Sequence, residues 1–185
     1  METRIVIAGA GGQGILFLGN VLARAGMVEG KQVTCFPSYG AEMRGGTANC
    51  TVILSDNMIG SPVVLNPDIL IAMNRASLER FQPDLKNKGL LFFDSSLINS
   101  IAFRDNIIPF GIPATKMADS MGNARAANMI MLGGMIAATA LLNETTIDKL
   151  FSFSTASADN KAAEINKNSI LEGINYLESK KSRYF

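Results

Sequence analysis

An apolar, β-branched run from Arg4 to Ala8 opens directly onto Gly9-Ala10-Gly11-Gly12-Gln13-Gly14, and an apolar helical pattern follows at once. No other stretch constrains the fold as strongly. Ile15, Leu18, Gly19, Leu22 and Gly26 recur at spacings of three and four, with Phe17 and Val21 widening the face, so the spacing predicts a helix. A strand that turns on glycines into a helix is the opening unit of an α/β fold, and Gly9, Gly11 and Gly14 match G-x-G-x-x-G. Glycine permits a tight turn and close backbone approach there, while the helix N-terminus offers unpaired N–H groups and a partial positive charge to a phosphate. A dinucleotide site also needs a carboxylate at the end of the second strand, and that strand ends Val33-Thr34-Cys35-Phe36-Pro37. Three readings of the turn stay open: a nicotinamide site, a site for another phosphate-bearing ligand, or a tight turn with no ligand. Gln13 is an unusual occupant whose amide could donate to a phosphate or to a neighbouring subunit.

Further along, the pattern alternates between strands and helices. Strands are expected over Gln32 to Phe36 (ended by Pro37), Thr47 to Leu54, Asp68 to Met73, Leu90 to Asp94 and Asn106 to Phe110, with a short helix around Ala76 to Phe81. The last third is helical: Ala124 to Leu142, a short helix opened by Thr145 with Asp148 as a capping box, and Lys161 to Lys180. This order implies one α/β domain over residues 1–185, Rossmann-like and three-layered. Its sheet should be mostly parallel but mixed, because Thr47 to Leu54 follows a loop rather than a helix and should run antiparallel or lie at an edge. Between Arg125 and Glu144 the chain carries no charge, which raises the possibility of a membrane span. Asn128, Gly133, Gly134 and Thr139 dilute that run, and a buried helix, apolar all round, is the better reading.

Composition then removes whole classes of chemistry. With no His and two Cys, the chain has no Ser/His/Asp or Cys/His nucleophile system, no His-ligated zinc, and too few thiolates for an iron–sulfur cluster or structural zinc. A net charge of +1 argues against a nucleic-acid binder. The start lacks the pattern of a secretory signal, and with few cysteines a cytoplasmic location is expected. Any redox or acid/base chemistry must therefore use a bound cofactor, carboxylates and amines, or a different chain, and no residue is singled out as catalytic or metal-ligating.

The second glycine-rich stretch is Ser38-Tyr39-Gly40-Ala41-Glu42-Met43-Arg44-Gly45-Gly46. Such a loop can set Arg44 against a phosphate or carboxylate in bidentate geometry while the glycines let another backbone approach. Composition alone equally allows a solvated turn with two surface charges. Taken with GAGGQG, the alternating strand that follows, Ile59-Gly60-Ser61-Pro62, Asp68-Ile69-Leu70-Ile71-Ala72 and the glycine-bearing helix at Asn128 to Gly134, the loop strongly resembles the gamma subunit of 2-oxoacid:ferredoxin (acceptor) oxidoreductases. The free-standing short chain looks most like the 2-oxoglutarate enzymes, with the 2-oxoisovalerate and pyruvate enzymes close behind.

That resemblance implies a single gamma-type domain in a multisubunit enzyme. The enzyme oxidatively decarboxylates a 2-oxoacid on thiamine diphosphate, passes electrons through iron–sulfur clusters to ferredoxin or another low-potential acceptor, and transfers the acyl group to coenzyme A. Thiamine diphosphate and the clusters would sit on partner alpha, beta and ferredoxin-like delta subunits, while this chain packs over the thiamine centre and helps receive coenzyme A. Carried over by residue, the binding candidates are Gly11, Gly12, Gln13 and Gly14 in the first turn, and Tyr39, Gly40, Glu42, Arg44, Gly45 and Gly46 in the second. Arg44 would face an anionic ligand or a cross-subunit carboxylate. The competing functions are an independent NAD(P)-binding dehydrogenase and a non-catalytic assembly subunit.

Other residues carry less. Cys35 and Cys50 lack C-x-x-C spacing and read as free core thiols rather than a redox-active pair. The methionines between Met117 and Met135 fit core filling and an oligomer interface equally, so the isolated chain could form homodimers. Asp94, Ser95 and Ser96 stand where α/β ligands collect, or in an ordinary turn. Lys180 to Arg183 reads as a solvated tail.

Overall fold

The computed structural model describes residues 1–38, 47–152 and 160–180. Among them six strands, β1 (Glu2–Ala10), β2 (Gln32–Ser38), β3 (Thr47–Ser55), β4 (Ile69–Ala72), β5 (Leu90–Asp94) and β6 (Ile108–Ile112), form one sheet in the order β2-β3-β1-β4-β5-β6. β1, β4, β5 and β6 are parallel, and β3 is antiparallel to both of its neighbours. The sheet is mixed, as the missing helix before Thr47 implies. The odd strand lies inside the sheet, however, and β2 takes the edge.

Helices cover both faces: α1 (Ile15–Val28), α2 (Arg75–Phe81), α3 (Ala114–Ser120), α4 (Ala127–Thr139), α5 (Glu144–Ser152) and α6 (Asn160–Glu178). Alternation along β1 sends Ile5 and Ile7 into a core beneath α1, α3, α4, α5 and α6, together with Ile71, Phe92 and Phe110, whose rings stack 4.9 Å apart. Val6 and Ala8 point the other way, into a smaller core with Leu70, Leu91 and Leu78 of α2. Both faces of β1 are thus dry, which is why its sequence is a continuous apolar run rather than an alternating one.

Every residue of α4 from Ala127 to Ile136 is buried. Met129, Met131 and Met135 are core filler within the one chain, not an open groove. No described helix is long and apolar enough to cross a membrane. α4 reaches α6 at almost backbone-to-backbone distance: a Cβ on Gly133 would lie 2.8 Å from the carbonyl carbon of Ile170, and one on Gly173 would lie 2.8 Å from that of Ile130.

Four local expectations are corrected. β2 continues through Pro37, which stands opposite Cys50, to Ser38, because an edge strand tolerates a missing N–H. α4 begins after a 3₁₀ turn at Ala124–Ala126 and stops at Thr139, where Ala140 adopts φ +48°. α3 is a separate seven-residue helix that local periodicity does not separate from its surroundings. α5 starts at Glu144, so Thr145 lies in its first turn instead of capping it. The cap comes from Glu29, just past α1, whose Oε1 accepts from Asn143 N (2.6 Å) and Thr146 Oγ1 (2.7 Å).

Candidate functional site

Chain connections diverge on either side of β1: α1 carries the chain towards β2, while β4 pairs on the opposite side. In an open α/β sheet the crevice at such a switch point, beyond the carboxyl ends of the strands, is where ligands bind. The glycine turn occupies it. Gly12 (φ +90°) and Gly14 (φ +70°) adopt the left-handed region that side chains disfavour, and Gly11 and Gly12 are exposed. Gly14 caps α1 with no side-chain hydrogen bond, so among the described residues no cap side chain takes up the first N–H groups of the helix. The carbonyl of Gly14 accepts from Leu18 N and begins the helix.

Gln13 does something its position in the motif does not announce. Its Oε1 accepts from Ala10 N at 2.7 Å, and its Nε2 donates to the Met73 carbonyl at 3.0 Å, just beyond β4. The side chain therefore spans the crevice between β1 and β4. A Cβ at Gly9 would lie 2.8 Å from Gln13 Oε1, so the glycine makes room for this brace. From the other side Asn128, the one polar side chain in the buried run of α4, donates from Nδ2 to the Gly14 carbonyl at 3.0 Å, while its Oδ1 accepts from Met129 N. In the sequence Asn128 reads as a diluent of an apolar stretch and as the start of the glycine-bearing segment to Gly134. A lone amide in an otherwise apolar buried helix was the available signal, because such a group must find a partner.

Of the ten candidate residues, Gly11, Gly12, Gln13 and Gly14 form this braced turn. Tyr39, Gly40, Glu42, Arg44, Gly45 and Gly46 lie outside the described residues. The strands that flank them are described. Ser38 pairs with Asn49 at the end of β2, and Thr47 pairs with Ala10 at the end of β1. Both ends of the 39–46 connection therefore stand at the end of the sheet that carries the glycine turn.

Asp94 is removed as a ligand. Fully buried, its carboxylate accepts from Ser96 N (2.9 Å), Thr115 N (3.1 Å) and Thr115 Oγ1, and Ser96 Oγ accepts from Lys116 N. The group ties the start of α3 to the end of β5. A cleft of about 560 Å³, lined by Thr3, Asp68, Lys86, Lys88 and Thr139 among others, lies at the opposite end of the strands, where Lys86 is paired with Asp68. It is remote from the glycine turn.

Cys35 and Cys50 sit under α1 with their Sγ atoms 3.5 Å apart. Burial, with Cys35 beside it, pushes the Cys50 thiol from 9.0 up to about 12. No group of three or more His, Cys, Asp or Glu side chains among the described residues could hold a metal ion. The donor set fits neither an iron–sulfur cluster nor zinc. What the described turn offers is backbone N–H groups at the start of α1, suited to binding an anion.

A family model for pyruvate ferredoxin/flavodoxin oxidoreductase matches residues 4–176. Ketoisovalerate oxidoreductase subunit VorA of Methanothermobacter marburgensis is 42% identical over 136 residues, 74% of this chain and 28% of that protein. The chain thus spans little more than a quarter of that relative's length. 2-Oxoglutarate synthase subunit KorC of the same organism is 37% identical over 150 residues, 77% of this chain and 81% of that protein. Among solved structures, the gamma subunit of keto/oxoacid ferredoxin oxidoreductase from Geobacter sulfurreducens superimposes with a TM-score of 0.81 at 28% identity, over 96% of this chain and 99% of that one. The fold also recurs, at 22% identity and a TM-score of 0.86, within 31% of a chain of 2-oxoglutarate:ferredoxin oxidoreductase from Magnetococcus marinus, a structure that holds 2-oxoglutarate, coenzyme A and succinyl-CoA.

Proposed function

This chain belongs to the pyruvate ferredoxin/flavodoxin oxidoreductase family, and from that premise we propose that it is the gamma-type subunit of a cytoplasmic, multisubunit 2-oxoacid:ferredoxin oxidoreductase. The assembled enzyme would convert a 2-oxoacid and coenzyme A to acyl-CoA and carbon dioxide, with electrons passing to ferredoxin or another low-potential acceptor. One observation carries the subunit's role: the braced glycine turn and both ends of the 39–46 connection lie at the same end of the sheet. A phosphate-bearing ligand approaching there would meet backbone donors, and Arg44 is the cation proposed to complete the contact. Thiamine diphosphate and the iron–sulfur clusters would belong to alpha, beta and delta partners, in keeping with a donor set that fits no cluster.

2-Oxoglutarate is the preferred substrate, because KorC is a chain that this one matches over most of its length. A second reading, 2-oxoisovalerate, is favoured by the higher identity to VorA. Anaerobic pull-down with mass spectrometry of the partners, followed by a coenzyme-A-dependent assay against both acids and pyruvate, decides between them. The chain alone should turn over none of them, and co-expressed partners should restore activity. Turnover by the isolated chain would overturn the proposal. If Arg44→Ala leaves coenzyme A kinetics of the complex unchanged, the ligand role of that loop is wrong.

A further inference from the structure

We propose that Cys35 and Cys50 form a dithiol modification site that closes to an intrachain disulfide by exchange with a low-molecular-weight disulfide. The register of the β2–β3 hairpin sets Cys35 opposite Val52 and Cys50 opposite Pro37, so the two cysteines are diagonal neighbours on one face of the pair. Their Sγ atoms stand 3.5 Å apart. A disulfide is about 2.05 Å long, so closure needs roughly 1.5 Å of approach, within reach of side-chain rotation and a small shift of an edge strand. Gly19 of α1 lies against the sulfurs, where a Cβ would be 2.6 Å from Cys50 Sγ and 3.7 Å from Cys35 Sγ.

The two thiols differ in access, and this sets the order of events. Cys35 is half-buried on the edge strand, its Sγ 3.8 Å from Oδ1 of the exposed Asn20, whereas Cys50 is buried at 1% exposure. Cys35 attacks first: its thiolate displaces one thiolate from the small disulfide and leaves a mixed disulfide on Cys35. Cys50 then attacks the Cys35 sulfur, the protein S–S bond forms, and the second small thiolate leaves. The protons of both protein thiols end on the two released small thiols; the small disulfide gains two electrons and the protein loses two. Burial is the main reason the Cys50 thiol resists ionisation, followed by the charge and hydrogen bond of Cys35. Conversion of Cys35 to a mixed disulfide removes the last two of these, so the first step prepares the second.

The bond would staple β2 to β3 just before and just after the connection that carries Tyr39 to Gly46, against the helix that begins at the glycine turn. The chemistry stands apart from the proposed enzymatic role, and its test does not use activity. The full-length chain is incubated anaerobically with excess oxidised glutathione, then alkylated and analysed by intact-mass and peptide mass spectrometry. The wild type should lose both thiols together, fall in mass by two hydrogen atoms, yield a peptide linking Cys35 to Cys50, and recover both thiols with dithiothreitol. Cys50→Ser should stop at one glutathione on Cys35, and Cys35→Ser should stay unmodified while folded. A stable glutathione adduct on wild-type Cys35, loss of neither thiol, or reaction at Cys50 first would each overturn the proposal. The wild-type arm decides it even if a variant fails to fold.

Discussion

Replacing Gly133 with Ala sets two effects of opposite sign against each other, and the packing of α4 on α6 decides which prevails. In an unobstructed helix the change stabilises by about 0.8–1 kcal/mol, because Ala loses less backbone entropy. Here the new methyl would lie 2.8 Å from the Ile170 carbonyl carbon and 3.1 Å from its Cα, with the carbonyl oxygen closer still. Carbon–carbon contacts settle at about 3.5–4.0 Å, so the helices must part by roughly 1 Å. The obstructing atoms are backbone, which has no rotamer to yield. Overpacking costs about 1–3 kcal/mol, and this case belongs at the upper end, which leaves a net loss of about 2 kcal/mol after the propensity gain. For a domain of this size that is a fall of about 4–8 °C in melting temperature, read by far-ultraviolet circular dichroism. Gly173→Ala should behave alike, since its methyl would meet the Ile130 carbonyl carbon at 2.8 Å. The double variant should cost less than the sum, because the first substitution already parts the helices. Gly60→Ala, facing open space, is the neutral control. A Gly133→Ala protein that melts at or above the wild-type temperature would refute the close-packing argument.

Three further outcomes follow from the braced turn and the thiol pair. Gln13→Leu leaves Ala10 N–H and the Met73 carbonyl without their side-chain partner and should cost about 1–3 kcal/mol in urea unfolding, with an unchanged denaturant slope. Asn128→Ala removes the donor to the Gly14 carbonyl; hydrogen exchange should quicken across the first turns of α1 before it changes in α6, and uniform quickening would show that Asn128 only fills space. The Cys50 thiol, lifted from 9.0 to about 12, keeps its proton in the folded chain where the unfolded chain has lost it. Stability from this group is complete below pH 9 and declines as pH rises through 9 to 12, and Cys50→Ala should flatten that part of the melting profile. An identical slope in the variant would exclude Cys50 as its source.

The parts of the fold that local pattern determines were legible: the strand, glycine turn and helix from Arg4 to Gly26, the parallel strands at Ile69–Ala72 and Leu90–Asp94, and a buried α4. The parts that depend on distant partners were not. Gln13 finds its acceptor at Met73, Asn128 meets Gly14, and Glu29 caps a helix beginning at Glu144. No periodicity within a window of a dozen residues encodes such pairs. α3 was missed because seven residues span barely two turns, too few for a 3.6-residue repeat to stand out. Pro37 read as a strand end because its missing N–H forbids a central strand, and only the sheet order shows that β2 is an edge. Asp94 was ambiguous for the same reason, since its consumption by Thr115 and Ser96 is a tertiary fact.

The sheet order also explains why the motif and its missing carboxylate belong together. In a dinucleotide fold the second strand lies beside the first, and its terminal acid reaches the ribose of a cofactor seated on the glycine turn. Here β3 is inserted between β1 and β2. The end of β2 is then two strand spacings from β1, about 9–10 Å, too far for a short carboxylate to serve that ribose. Meanwhile Gln13 occupies the crevice between β1 and β4, into which the rest of such a cofactor would extend. Both changes act against a nicotinamide dinucleotide, while Gly14 at the start of α1 makes no side-chain cap hydrogen bond. The phosphate-bearing ligand proposed for that helix end would approach across the end of the sheet where the chain leaves Ser38 and returns at Thr47. The anion we propose there would take its cation from Arg44, the one Lys or Arg among the residues joining those two strands.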